Sequence, residues 1–323
     1  MTFISNKIVV SIKVTPAQKE LNSSELEFDK KRVADICVAK HKKDNPMMYL
    51  VLDKDIIERE IIPHIPIESK GSSPRVPLVE IINAILYKLK TGVQWEYLPV
   101  ESLFSERPLH YKSVFYHYRK WCKAGVWKDC WIKLLCKYKS FLDLSSADLD
   151  GSHTPALKGG QEVGYQGRKK RKTTNALFLT DRQGLPLAMS EPISGNHHDL
   201  YDIEIHFEEI TSTLEQADIP VDGLFLNADA GFDSQGFRVE CDKKEMIANV
   251  DFNKRRGNKD HDLLLDDELY KERYSIERTN AWMDSFRSLL NRFDVTITSW
   301  KGFNFLAFIV LELRKFTQKT QFR

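Results

Sequence analysis

The spacing of apolar residues changes once along this 323-residue chain, near Ser146, and that change limits the folds open to it. Before it, Leu78, Ile81, Ile82, Ile85, Leu86 and Leu89 recur at helical intervals, so one face of a helix is apolar. Gly92 follows where a helix end favours positive φ. Ser113–Lys123 reads as a second helix, with Val114, Phe115, Tyr118 and Cys122 inward and Gly125 closing it. Trp127–Tyr138 reads as a third. Past Ser146 the runs are short and rich in β-branched residues: Ser146–Ser152, Thr174–Thr180 and Leu185–Pro192, with a tight turn at Gln183-Gly184. An acidic amphipathic helix is expected over Asp199–Thr213. Buried strands follow at Leu224–Ala228 and Met246–Val250, a polar helix over Leu269–Phe286, and an apolar helix over Phe303–Phe316.

Three antiparallel strands followed by alternating helices and strands describe a mixed-sheet α/β domain. The expected division is an N-terminal extension at 1–45, a small helical domain at 46–145 and the α/β domain at 146–323. The loops at 61–77 and 253–267 are read from Pro, Gly, Ser and charge.

Net charge is only +2, but its distribution is uneven. Glu101–Asn175 holds 15 Lys and Arg against 7 Asp and Glu, whereas Asp199–Ala217 holds 6 acids and no base. Such a chain meets a polyanion on one side. The second helix adds to this, its outer face showing Tyr116, His117, Arg119 and Lys120, so the short helices suit a helix-turn-helix reader of DNA. Arg168–Lys172 is five consecutive charges between the first two strands; they must be solvated or paired with phosphates, and DNA backbone contact is the favoured reading. Five cysteines without a C-x-x-C pair argue for a reduced, intracellular protein. The apolar runs Ile8–Ile12 and Phe303–Leu313 are too short for a signal core or a membrane span.

Isolated acids carry the chemistry. Asp150 ends the first strand on the same face as Asp148, and Asp229 ends the fourth. If those strands are neighbours, the two acids meet at one sheet edge. Tyr270, Arg273 and Glu277 recur at helical spacing on one expected helix, so Glu277 can supply a third corner. Three carboxylates without His or Cys suit a hard ion, Mg²⁺ or Mn²⁺, and two such ions about 4 Å apart act on phosphodiesters. His153, His197 and His198 rank below the acids as turn or supporting residues. Asp199 and Asp233-Ser234 are read as helix N-caps.

The motifs DGSHTPA, GYQGRKKRKTTNALFLTDRQGLPLA, SGNHHD, NADAGFD and YKERYSIERTNAW, after PLVEIINAILYKLKTGVQWEYLP and RKWCKAGVW, resemble those of bacterial insertion-sequence DDE transposases of the insertion-sequence-five group. The resemblance covers roughly 47–314. It implies a ribonuclease-H-like mixed-sheet catalytic domain behind a small helical DNA-binding domain, with Asp150, Asp229 and Glu277 as catalytic residues and metal ligands. Tyr270 and Arg273 fall on the family's Tyr-x-x-Arg-x-x-x-Glu pattern. Many members carry a base seven residues after the Glu; here that position is Asp284, leaving Arg278 or Arg287 to substitute. The 48 residues between Asp229 and Glu277 leave no room for a large β insertion.

The implied activity is DNA transposition: binding terminal inverted repeats, hydrolysis to free a 3′-OH, and in-line attack of that 3′-OH on target DNA. The DNA contacts are assigned to Arg168, Lys169, Lys170, Arg171, Lys172, Tyr270, Arg273, Arg119 and Lys120. Synapsis of two DNA ends implies a homodimer or larger assembly, cytoplasmic and acting at the bacterial nucleoid, with no membrane partner. The rival readings are a catalytically idle DNA-binding protein and a metal-dependent nuclease without strand transfer.

Overall fold

The computed structural model describes residues 2–5, 8–11, 50–66, 76–253 and 265–321. Met1–Met48 forms one compact unit and Tyr49–Arg323 another. In the first, β1 (Thr2–Ser5) pairs antiparallel with β2 (Ile8–Ser11). The rest of the expected extension, most of the loop at 61–77 and residues 254–264 of the charged loop lie outside the described residues.

In the second unit the helices come first. In α1 (Leu78–Thr91), Ile81, Ile82, Ile85, Leu86 and Leu89 are fully buried, and Gly92 closes the helix at φ 69°, as the spacing predicted. α2 (Tyr111–Lys123) and α3 (Val126–Lys137) are joined through Ala124 and Gly125. Ala124 takes the C-cap position of α2, and Gly125, at φ 72°, is the N-cap of α3.

The sheet runs β4–β5–β3–β8–β9, with β6 and β7 also paired to β5. Its strands are β3 (Ala147–Pro155), β4 (Gly164–Gln166), β5 (Arg171–Asp181), β6 (Pro186–Met189), β7 (Ile193–Ser194), β8 (Phe225–Ala228) and β9 (Ile247–Val250). β3 is antiparallel to β5 but parallel to β8, and β8 is parallel to β9. The connecting helices are α4 (Ile203–Gln216) and α5 (Gln235–Lys243). α4 begins later than its acidic stretch suggested, with Asp202 as N-cap rather than Asp199. Ser234 does cap α5, accepting from the Phe237 amide at 3.2 Å.

The polar helix of residues 269–286 is broken. α6 (Asp267–Lys271) passes through a 3₁₀ turn at Glu272–Tyr274 into α7 (Ser275–Asp284). The 3₁₀ turn interrupts the single helix expected to carry Tyr270, Arg273 and Glu277, so the first two precede α7 and Glu277 lies within it. Arg182, in the β5–β6 turn, holds Glu272 through Nε and Nη2, the latter at 2.6 Å, which pins the break. Gly184, at φ 86°, lets that turn press against α7: Thr279 Oγ1 donates to its carbonyl, and a Cβ there would crowd the Ser275 carbonyl.

α8 (Ile297–Gln321) unites the unit. Phe308 packs on Trp131 of α3 with ring centres 5.1 Å apart and on Phe178 of β5 at 5.7 Å. Phe303 stacks on Tyr118 of α2 at 4.4 Å. Helices and sheet therefore share one apolar core. Among the described residues no helix is long and apolar enough to cross a membrane.

Candidate active site

Register brings the first two acids together. Ala147, Asp148 and Leu149 of β3 stand beside Leu226, Asn227 and Ala228 of β8, so the next step along both strands places Asp150 beside Asp229. Asp150 accepts from the Gly151 amide at 2.8 Å, and Asp229 from the Gly231 amide at 2.7 Å. Burial, with Asp199 and Asp229 adding to it, pushes the Asp150 carboxyl up to about 7 against the opposing Gly151 amide and Arg273. A buried carboxyl such as Asp150, with so few donors, is costly to hold ionised unless a cation joins it.

One residue earlier the same register builds a buried polar row. Asn227 Nδ2 donates to Asp148 Oδ1 at 2.8 Å, Asn249 Nδ2 to Asn227 Oδ1 at 2.7 Å, and the Asp266 amide to Asn249 Oδ1 at 2.7 Å. Ser275 Oγ closes the row on Asp148. Asn227 also donates to the Leu269 carbonyl at 3.2 Å. Asp148, only 1% exposed, therefore serves the docking of α6 and α7. Sequence patterning does not single out Asn227 and Asn249. Their signal was amides in apolar strands, which have to be paired once buried.

That row sets Tyr270 and Arg273 over the acids. The Arg273 guanidinium lies over the Tyr270 ring, 5.5 Å from its centre, and its Nε is buried with no hydrogen-bond partner. Burial raises the Tyr270 pKa, Arg273 opposes, and Asp251 and Asp229 add to the rise. Arg273 is thus a cation beside Asp150 with a donor to spare. Glu277 stands exposed on α7, whose buried side is Ser275, Ile276, Thr279 and Met283. Among the described residues no three His, Cys, Asp or Glu side chains form a group able to hold one metal ion. The Asp150–Asp229 pair suits a hard divalent cation in its oxygen donors and its unbalanced charge.

The basic run is the β4–β5 hairpin turn, with Gln166 opposite Arg171 and Lys170 at φ 50°. β3 continues past Asp150 alongside β5 to Pro155 opposite Thr173, so turn and acids lie along one strand direction. Partial burial raises the Asp284 pKa, and Lys169 opposes. A base from the hairpin thus stands close to the position where α7 lacks one. Of the two expected substitutes, Arg278 lies over the Tyr274 and Trp282 rings, and Arg287 packs against Gly92. Arg119 is exposed on α2, over Phe115, and Lys120 is half-buried. Arg119 lines a cleft of about 910 Å³ with Lys112, Lys158, Trp95 and Phe293.

His198 is a turn residue, its Nδ1 accepting from the Leu200 amide at 3.1 Å, and His197 packs on Tyr201. His153 lies 3.7 Å from Asp199. Burial lowers its pKa, Asp199 opposes, and Lys169 and Arg168 reinforce the fall.

Comparison with known proteins decides the family. Residues 142–304, just over half the chain, match the family described as "Transposase DDE domain". The chain belongs to the DDE transposases. Residues 58–131 match a second family, described as "Putative transposase of IS4/5 family". An 85-residue stretch is 33% identical to the "Insertion element IS402 uncharacterized 16.2 kDa protein" of Burkholderia cepacia, covering 26% of this chain and 55% of that protein. The chain thus spans about half the length of this curated relative. No solved structure matches. The family is one of DNA-cleaving and DNA-joining enzymes, and the mixed sheet is consistent with such a domain.

Proposed function

We propose that this transposase binds the terminal inverted repeats of its own insertion sequence, frees a 3′-OH at each end by hydrolysis, and joins it to target DNA, with Asp150 and Asp229 at the reacting phosphate. The observation that carries this reading is the parallel register of β3 and β8, which sets Asp150, within β3, beside Asp229 just past the end of β8. We read the catalytic domain as ribonuclease-H-like, on the strength of three parallel strands flanked by an antiparallel hairpin. Residues 46–145 are read as the DNA-binding domain.

Asp150 and Asp229 would hold a divalent cation, Mg²⁺ or Mn²⁺. When bound, it supplies Lewis-acid polarisation of the phosphodiester and neutralises charge at the leaving oxygen. The chain's own groups divide the remaining work. Arg273, braced on Tyr270, directs its unpaired Nε–H at a phosphate oxygen. Lys169 and its neighbours hold the backbone farther along β3. Glu277, on the helix whose Ser275 reaches Asp148, is proposed as the third carboxylate, and Glu277→Gln should abolish nicking and joining while sparing DNA binding.

The test uses labelled DNA carrying the inverted repeats that bracket the reading frame, with Mg²⁺ and a target duplex. Asp150→Asn and Asp229→Asn should abolish nicking and joining while leaving repeat DNA bound. Nicks without joined product would leave a nuclease, and retention without nicks an idle binder. Cleavage by either variant at the native rate would overturn the assignment.

A further inference from the structure

The cleft that Arg119 lines is built from both ends of the unit. α1 and α2 supply Lys88 and Phe115, the turn between them Trp95, the loop after β3 Lys158, and the segment before α8 Phe293. Its volume of about 910 Å³ is that of a pocket for an organic ligand. Rim and floor differ in chemistry. Lys112, Arg119 and Lys158 are exposed, and among the described residues none of the three is held in an ion pair. Phe293 shares that rim at 47% exposure.

Lys88 lies deeper, 7% exposed, with its Nζ 5.8 Å from the centre of the Trp95 ring and 5.3 Å from that of Phe303. It donates to Ser288 Oγ at 3.0 Å. Burial lowers its pKa, and Asp294 opposes through its field without forming an ion pair with it. An ammonium has three donors, so the floor of the cleft offers hydrogen bonds that its own walls leave unused. A paired duplex presents phosphates to the rim, but its stacked bases cannot reach Lys88. An unstacked base can: it has a flat face for the aromatic walls and carbonyl oxygens for the ammonium. Two further facts favour DNA as its source. Arg119 belongs at once to the cleft and to the exposed face of α2. Lys158 follows Asp150 by eight residues along β3 and its loop. Even fully extended, that stretch puts the rim within about 29 Å of Asp150, roughly eight base pairs of DNA.

We propose that this cleft takes one unpaired nucleotide of the bound DNA, its base against Trp95 and Phe293 and its phosphate on the rim bases. Lys88 donates to a carbonyl oxygen of that base. The inference rests on the reading of the chain as a transposase that holds its element's terminal repeat.

Terminal-repeat duplexes carrying one abasic residue at a time, bound to the full chain and followed by fluorescence anisotropy, test this without reference to cleavage. An abasic residue opposite the captured nucleotide removes the pairing that has to be broken. At one position within about eight nucleotides of the cut, native protein should therefore bind at least about tenfold more tightly than to the intact duplex. Phe293→Ser alters an exposed side chain and should fold as native. Lys88→Met keeps the aliphatic stem against Trp95 and Phe303. Each should bring the gain below about threefold, because stacking and the base contact supply it. No gain at any position in native protein would overturn the proposal, as would a full gain in both variants. Weakening shared equally by intact and abasic duplexes would mark a backbone contact in place of a base pocket, and would overturn it too. In each of these cases, repeat DNA bound more tightly than an unrelated duplex would leave the transposase reading standing. Native protein that binds both duplexes alike would remove the two together.

Discussion

Asn227 ties the catalytic strand to the helices above it: one amide nitrogen serves both Asp148 and the Leu269 carbonyl. Asn227→Ala leaves Asp148 buried with one donor fewer, so it should cost about 2 kcal/mol in urea unfolding and loosen α6 over the acids. Glu312 presents the opposite case. Fully buried in α8, its carboxyl is held well above the usual range by desolvation, with Trp131 donating to it at 2.7 Å and opposing the rise. An acid with a raised native pKa binds more protons folded than unfolded, so its contribution to stability falls as pH rises above the unfolded value. Glu312→Gln keeps the acceptor for Trp131 without the ionisable proton. Its thermal unfolding should therefore match native protein near pH 5 and exceed it near pH 8; a lower midpoint at both would contradict a protonated Glu312.

At the scale of elements, the hairpin turn Arg168–Lys172 makes the clearest claim on DNA. Reversing Lys169 and Lys170 to Glu should weaken binding and lower the slope of log affinity against log salt by about 2, roughly one per lost phosphate contact. Filter binding at several salt concentrations would show it, and an unchanged slope would place the turn off the DNA. Strands and helices of this size were legible because period and turn residues are local properties: Gly92, Gln183-Gly184 and Ser234 sit at the ends where the sequence put them. The pairing of Asp150 with Asp229 follows from a strand register that the sequence leaves conditional on β3 and β8 being neighbours. What the sequence did not reveal depends on distant partners. The helix through Glu277 breaks where Glu272 meets Arg182, ninety residues away in the chain. Asp199 reads locally as an N-cap, and only the contacts at Gly151, Gly164 and Gly195 show it lying on the sheet. Asp284 looked like a missing base until the hairpin brought Lys169 near it.

Across the whole unit, stability should follow the acids that hold it together. Glu60, 2% exposed, accepts from Lys137 at 2.7 Å and Tyr138 at 2.8 Å, joining the first helical turns to the end of α3. Burial alone would raise its pKa, but Lys137, Arg59 and Tyr138 outweigh it and leave the carboxyl below its ordinary value. A depressed acid stabilises above the unfolded pKa and loses that contribution as pH falls through the folded one. Unfolding free energy should therefore drop below about pH 4.5 in native protein and drop less in Glu60→Gln, a difference readable by denaturant titration at pH 3 to 6.

α8 carries a consequence for measurement. One continuous helix is packed against α2, α3 and β5, so the helices proposed to read the repeat and the acids proposed to cut beside it are fixed like two marks on a ruler. A protein of this kind counts distance. Inserting one base pair between the recognised repeat and the element's end should move the cut one base pair inside the natural boundary, and sequencing the product ends would show whether the gauge is rigid.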